Sequence, residues 1–126
     1  MFARLTLRAL LPACAILLGF SAAPARAQDG FPLVGSPAHG AELIAQRGCG
    51  SCHTIPGIEG ADGLVGPPLT QWARRIFVAG LLRNTQQNVA AWVLDPQRYV
   101  PGNAMPSTGL TPSDALDVAA YLETIR

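Results

Sequence analysis

The sequence predicts an all-α domain, and three observations support this prediction. Helix-starting signals followed by apolar stripes of helical spacing occur near residue 36 and again near residue 111. The segments between them are rich in glycine and proline, and no run of alternating apolar and polar residues indicates a strand. The sequence also contains no internal repeat or low-complexity tract. We therefore expect about four or five helices in one small domain.

The first 27 residues are typical of a cleaved export signal. Basic residues precede an apolar run at positions 9–20, and the small-residue site Ala25-Arg26-Ala27 follows it. An uncleaved membrane anchor is the alternative, but the run is shorter than the roughly 18 residues that a spanning helix needs, and Pro12 interrupts it. We expect a periplasmic protein that is not inserted in the membrane once residues 1–27 are removed.

The mature chain, residues 28–126, has 99 residues, which is enough for one small domain. We expect a flexible leader at 28–35, a folded domain at 36–126 and a monomer. Six arginines and eight acidic residues give the mature chain a formal charge of −2, and it contains no lysine. This composition excludes a basic face for nucleic acid.

The first predicted helix has Ser36 as its N-cap and Pro37 at its first position, where each residue type is favoured. It should end near Arg47, before Gly48. Its expected packing face consists of Gly40, Leu43 and Ile44.

The middle of the chain is predicted to alternate between loops and helices. Residues 54–69 carry four glycines and the Pro67-Pro68 pair, and a loop of this length is expected to wrap around another group. A short helix is predicted at 70–77, and a clearer one starts after Thr85 and ends at Asp95-Pro96. Residues 97–110 are predicted to form a second ordered loop.

The last predicted helix has the strongest signal in the sequence. Thr111 can cap it, Pro112 is favoured at its first position, and Asp114 completes a capping box. Its apolar stripe consists of Ala115, Val118, Ala119, Leu122 and Ile125.

The motif Cys49-Gly50-Ser51-Cys52-His53 has the residue spacing of a c-type haem attachment site. Each thiol can add to one vinyl group of the porphyrin, and His53 is then held under the iron as its proximal ligand. We therefore expect one haem c, attached covalently through Cys49 and Cys52, with His53 bound to the metal.

Three other uses of this motif are less well supported. A thioredoxin-like disulfide needs a βαβ context, and the sequence has no strand pattern. A zinc site needs four ligands, but the only other histidine is His39 and there is no second cysteine pair. A structural disulfide explains neither the histidine nor the residues between the thiols.

Met105 is the expected second axial ligand. The only methionines are Met1 and Met105, and Met1 is lost with the export signal. Pro101 and Pro106 stiffen the loop around Met105, so the sulfur can be presented at little entropic cost. The alternatives are a core-filling role for Met105 and a second histidine ligand, His39.

Over residues 36–126 the sequence resembles the small class I cytochromes c, which carry one haem with His/Met ligation. The resemblance implies the class I fold, with its helices wrapped around the haem, and a close crossing of the first and last helices at Gly40 and Tyr121. The stretch from residues 84–88 through 95–97 to 101–103 is similar to the cytochrome c domain fused to subunit II of some haem-copper oxidases. The motifs that carry the resemblance are, in order, Cys49 to His53, Gly66-Pro67-Pro68-Leu69, Pro101-Gly102-Asn103-Ala104-Met105-Pro106 and Tyr121-Leu122.

The resemblance also implies roles for other pocket residues. The carbonyl of Pro67 would accept a hydrogen bond from the His53 ring and so orient it. Arg75, with Arg74 as the alternative, would compensate a haem propionate. The other implied pocket residues are Trp92 near the methionine sulfur, Asn103 in the methionine loop and Tyr99 near a propionate or the haem edge. Ordinary core packing is the alternative for Trp92 and Tyr99.

The expected function is electron transfer and not enzymatic catalysis, because an iron with both axial positions filled has no open position for a substrate. Expected partners are redox proteins such as a terminal oxidase or a dehydrogenase. Two alternatives stay open: a haem subunit docked on an oxidase or dehydrogenase complex, and a haem-based sensor in which Met105 dissociates to admit a gas. Because the mature chain lacks lysine, we expect docking through apolar surface around the haem edge.

Overall fold

A computed structural model describes residues 34–126 of the protein. No helix in this part of the chain is both long and apolar enough to cross a membrane. The predicted export signal at 1–27 and residues 28–33 of the predicted leader lie outside the described residues. In chain order the elements are α1 (Pro37–Gln46), a 3₁₀ turn (Cys49–Ser51), a second 3₁₀ turn (Trp72–Arg74), β1 (Phe77–Val78), β2 (Leu82–Arg83), α2 (Gln86–Leu94), α3 (Pro96–Tyr99) and α4 (Pro112–Leu122).

The predicted bounds of α1 are confirmed. The Ser36 hydroxyl accepts a hydrogen bond from the His39 N–H at 3.2 Å, and Pro37 is the first helical residue. The helix ends at Gln46, and Gly48 adopts the left-handed region with φ +68, which turns the chain into the cysteine motif. The predicted packing face is buried as expected.

The predicted capping box of α4 is also present. The Thr111 hydroxyl accepts from the Asp114 N–H, and the Asp114 carboxylate accepts from the Thr111 N–H, both at 3.2 Å. These two bonds satisfy backbone donors that a helix start otherwise leaves unpaired. All five residues of the predicted apolar stripe are buried.

The first and last helices cross at close range, as the resemblance implies, but the contact differs in detail. A Cβ atom at Gly40 would lie 2.0 Å from the Asp117 carbonyl oxygen, so glycine is needed for the α4 backbone to approach. Tyr121 makes another contact, since its hydroxyl donates to the Pro56 carbonyl at 2.7 Å. The Asp117 carboxylate adds two bonds across the crossing, from the Ser36 N–H at 2.6 Å and from His39 Nδ1 at 2.8 Å.

The helix predicted at 70–77 forms only in part, and a short hairpin begins at its last residue, Phe77, so the prediction of no strand is wrong. Only the 3₁₀ turn at Trp72–Arg74 is helical, and β1 then pairs antiparallel with β2. Ala79 and Gly80 both have positive φ, 51 and 72, which allows a tight turn between the strands. Strands of two residues are too short to produce an alternating pattern, and this is why the sequence did not indicate them.

Two other segments make contacts that the sequence did not indicate. Asp95-Pro96 ends α2 and also starts α3, because the Asp95 carboxylate accepts from the Arg98 N–H at 3.3 Å and Pro96 is the first helical residue. The N–H of Val34 donates to the Gln86 side chain at 2.9 Å, and its carbonyl accepts from the same amide. Val34, at the end of the predicted leader, is thus hydrogen-bonded to α2.

Candidate functional site

One cavity of about 540 Å³ collects most of the predicted site residues. Its volume lies within the usual range for small-molecule and cofactor sites. Parts of α1, α2 and α4 form the apolar floor, with Ile44, Val93 and Leu122 among its residues. The predicted site residues in its wall are Cys49, Cys52, His53, Pro67, Arg75, Trp92, Asn103 and Met105.

The cysteine motif forms a tight 3₁₀ turn at the cavity wall. The His53 N–H donates to the Cys49 carbonyl at 3.0 Å, so the motif closes on itself. A Cβ atom at Gly50 would lie 2.6 Å from Ala61, which explains the glycine between the thiols. Both thiols are free, and burial raises the pKa of the Cys49 thiol. The turn therefore places the two thiols and the imidazole of His53 in the wall of the same cavity.

The His53 ring is oriented by a hydrogen bond from Nδ1 to the Pro67 carbonyl at 2.8 Å. A carbonyl oxygen only accepts, so Nδ1 must carry the proton. In the neutral ring, Nε2 is then left with a free lone pair, as a metal ligand requires. This is the contact that the resemblance implies for Pro67.

Gly66 is required for this arrangement, although no role was predicted for it beyond its place in a motif. A Cβ atom at position 66 would lie 2.3 Å from Cε1 and 2.6 Å from Nδ1 of His53. The Gly66 N–H also donates to the Cys52 carbonyl at 2.7 Å. The backbone at residue 66 therefore lies flat against the imidazole and leaves no room for a side chain.

Met105 lies on a loop in the wall of the same cavity, half-buried and packed against the core. Its N–H donates to the Asn103 side chain at 2.8 Å, as expected for a polar residue in the methionine loop. Its carbonyl accepts from the Gln97 side chain at 2.8 Å, and Gln97 was not predicted to have a role. His39, the alternative ligand, is outside the cavity wall and bonds Asp117.

Trp72 and Arg75 supply polar groups at one part of the wall. Trp72 is buried, and its Nε1 has no hydrogen-bond partner among the described residues. The Arg75 guanidinium lies 5.1 Å from the centre of the Trp72 ring, while Arg74 is exposed and outside the wall. A buried indole donor without a partner is costly, and a ligand carboxylate would satisfy it. The three-residue spacing of Trp72 and Arg75 on a helical turn was the signal available for Trp72.

Trp92 and Tyr99 differ in their relation to the cavity. Trp92 lines it, while Tyr99 is not part of the wall. The two ring centres are 6.2 Å apart with the planes tilted by 40°, so Tyr99 packs beside Trp92. Tyr99 therefore contacts Trp92, which lines the cavity, and does not line the cavity itself.

The cavity residues fit a covalent haem c. They offer two thiols, an imidazole with a free Nε2, a thioether, and an indole N–H and a guanidinium suited to carboxylates. The remaining wall is mainly apolar, as a porphyrin ring requires.

Residues 37–126 match the family model described as Cytochrome c. The chain belongs to the cytochrome c family. It is 36% identical over 84 residues to cytochrome c oxidase subunit 2 of Bacillus subtilis, an alignment that covers 65% of this chain and 24% of that protein. The corresponding protein of Alkalihalophilus pseudofirmus is 32% identical over 88 residues, covering 69% of this chain and 25% of the relative. Cytochrome c oxidase subunit 2 of Bacillus sp. (strain PS3) is 31% identical over 100 residues, covering 75% of this chain and 28% of the relative.

This cytochrome c spans about a quarter of the length of the curated relatives that it matches. The predicted relation to class I cytochromes c, and to the cytochrome c domain of oxidase subunit II, is confirmed. Family membership implies haem c as the cofactor and electron transfer as the function.

Proposed function

We propose that this cytochrome c is an exported, periplasmic electron-transfer protein that carries one electron on a single covalent haem c. Cys49 and Cys52 attach the porphyrin, and His53 and Met105 are the axial ligands. The observation that carries the proposal is the single cavity into whose wall all four residues are brought. When bound, the haem supplies the Fe(II)/Fe(III) couple.

The protein groups have separate tasks in this proposal. The Pro67 carbonyl fixes the proton on Nδ1 of His53. This leaves the Nε2 lone pair available to the iron and raises the basicity of Nε2. Trp72 Nε1 and Arg75 hold the propionates, and the apolar wall lowers the local dielectric around the metal. No residue is assigned to substrate chemistry, so the protein is proposed to be a carrier and not an enzyme.

The surface beside the cavity supports docking through apolar contacts. Leu64 and Val65 are 89% and 75% exposed, and Val65 belongs to the cavity wall. We propose that redox partners, such as a terminal oxidase or a dehydrogenase, dock on this side.

A second candidate function is that of a haem subunit docked on an oxidase. The relatives named as cytochrome c oxidase subunit 2 favour it. A mobile carrier should sediment as a monomer of the mature chain, whereas a dedicated subunit should co-purify with its complex after mild detergent extraction. The sensor alternative is less favoured, because both polar backbone groups of Met105 are held by side chains, which opposes dissociation of the ligand.

The cofactor proposal is tested by intact-protein mass spectrometry of the exported chain. We expect the mass of the mature chain plus one haem, and single Cys49→Ala and Cys52→Ala variants should each keep at most one thioether. A mature chain of unmodified mass, or a haem that acid acetone extracts, would refute covalent attachment.

A further inference from the structure

The Gln97 side chain makes three hydrogen bonds to the loop that carries Met105. Its Nε2 donates to the Asn103 carbonyl at 2.9 Å and to the Met105 carbonyl at 2.8 Å. Its Oε1 accepts from the Gly102 N–H at 2.9 Å. All three partners are backbone groups within four consecutive residues, so one half-buried amide fixes the course of the loop.

The orientation of this amide is determined by its partners. Carbonyl oxygens only accept and a backbone N–H only donates. Turning the Gln97 amide over would place its oxygen against two carbonyls and its NH₂ against an N–H, which makes all three contacts repulsive. Glutamine is therefore required chemically here, since the isosteric glutamate has no donor for the two carbonyls.

Short helix α3 places Gln97 beside the loop. Asp95 caps this helix and Pro96, which is fully buried, starts it. The loop then turns back at Pro101-Gly102, where Gly102 has φ +80 and the Asn103 N–H donates to the Val100 carbonyl at 3.2 Å. Asn103 completes the arrangement by donating to the Pro96 and Val100 carbonyls. As a result the loop is anchored back onto α3.

We propose that Gln97 is a positioning residue that holds Met105 at the iron site by fixing the backbone groups of Gly102, Asn103 and Met105. This inference rests on the proposed ligation by Met105. The Met105 backbone has two polar groups, of which Asn103 holds the N–H and Gln97 holds the carbonyl. Pro106 follows directly and has no N–H. The next side-chain bond on this side of the loop is from the Thr108 hydroxyl to the Val93 carbonyl at 2.8 Å, so Gln97 is the side chain that restrains the Met105 carbonyl itself.

The test is competition for the sixth coordination position by imidazole in the ferric holo-protein. Imidazole must displace Met105, so its apparent Kd measures how firmly the loop presents the thioether. We expect imidazole to bind Gln97→Glu and Gln97→Leu at least ten times more tightly than the wild type, which corresponds to about 1.4 kcal/mol. The near-infrared band of Met–Fe ligation should also weaken in both variants. The matched control is Gln87→Glu, at an exposed glutamine outside the cavity wall.

A double-mutant cycle with Met105→Ala separates positioning from a general loosening of the fold. In the Met105→Ala background we expect Gln97→Leu to change imidazole affinity by less than about twofold. If Gln97→Leu raises imidazole affinity equally in the wild-type and Met105→Ala backgrounds, or raises it in neither, the proposed role of Gln97 is overturned. If Met105→Ala itself leaves the near-infrared band and the imidazole affinity unchanged, the proposed ligation fails, and this outcome is separate from failure at Gln97. If Gln97→Leu does not take up haem, the Gln97→Glu arm decides the question.

Discussion

The two parts of the cavity wall that carry the proposed axial ligands are held in different ways. The proximal segment, residues 49–67, is fixed by backbone bonds, such as those from Gly63 to Gly50 and from Gly66 to Cys52, at 3.0 and 2.7 Å. The methionine loop, residues 101–108, is fixed largely by side chains, above all the amides of Gln97 and Asn103. Backbone bonds survive most substitutions, whereas a side-chain bond is lost with its residue. We therefore expect the proximal segment to tolerate most side-chain substitutions except at its glycines. In the methionine loop, each substitution that removes one of these side chains should weaken the hold on Met105 by a further step.

The largest effect is expected from Gly66→Ala in the proximal segment. The new Cβ would overlap the His53 ring, and relief requires movement of either the ring or the backbone bond to Cys52. We expect destabilisation by about 3 kcal/mol or more, together with loss of most of the haem from the exported protein, measured by haem content and urea unfolding.

Gly60→Ala is the control for this substitution. Gly60 has φ +69 and nothing within 4 Å of the added Cβ, so only the backbone cost of about 1–2 kcal/mol applies. If both variants lose haem and stability equally, the close approach of Gly66 to His53 is not the cause.

The next effect is expected from Met105→Ala in the methionine loop. Met105 has no part in thioether chemistry, so the covalent haem should be retained while the sixth position opens. The near-infrared band should disappear from the ferric spectrum, and mass spectrometry should still give one haem per chain. Survival of the band would show that Met105 is not the ligand.

A smaller effect, on stability alone, is expected from Asp117→Asn at the crossing of α1 and α4. The hydrogen bond from His39 lowers the pKa of Asp117, and the bond from the Ser36 N–H lowers it further. The bond to Asp117 raises the pKa of His39, and Asp114 and Glu42 add to this. We expect Asp117→Asn to lower Tm by about 5 °C at pH 5.5, with the haem spectrum unchanged.

The pH dependence of this difference follows from the two pKa shifts. A raised pKa for His39 gives stability that is complete below its ordinary value and is lost as pH rises through the folded-state pKa. A lowered pKa for Asp117 gives stability that is complete above its ordinary value and is lost as pH falls through the folded-state pKa. The Tm difference between wild type and Asp117→Asn should therefore shrink between pH 5.5 and 8.5. An equal difference at both pH values would contradict the ion pair.

The smallest effect is expected from salt, and it tests the apolar surface beside the proximal segment. Burial of apolar surface is nearly independent of ionic strength, whereas steering between charges falls steeply with it. We expect the bimolecular rate of reduction by the physiological donor, measured by stopped flow, to change by less than about tenfold from low to physiological salt. A drop of about a hundredfold would overturn apolar docking and leave the carrier function intact.

The residues that the sequence allowed us to predict are those whose signal is local. The capping box of α4, the N-cap of α1 and the cysteine motif each lie within a few positions, so their chemistry can be recognised without the fold. Gln97 and Gly66 act on groups 5–8 and 13–14 residues away in the chain, and only the folded backbone brings them there. The hairpin was missed for a different reason, because each of its strands has two residues, a single side-chain period, and a pattern needs several periods to be recognised.

The cavity wall also determines how the protein can be observed. The sequence has two tryptophans, Trp72 and Trp92, and both line the cavity. A porphyrin bound in this cavity would accept their excitation energy at short range, so the folded holo-protein should emit almost no indole fluorescence. Unfolding moves both rings away from the porphyrin, and the emission should then rise from a dark background. The protein thus carries its own optical reporter of whether the cavity is closed around the cofactor.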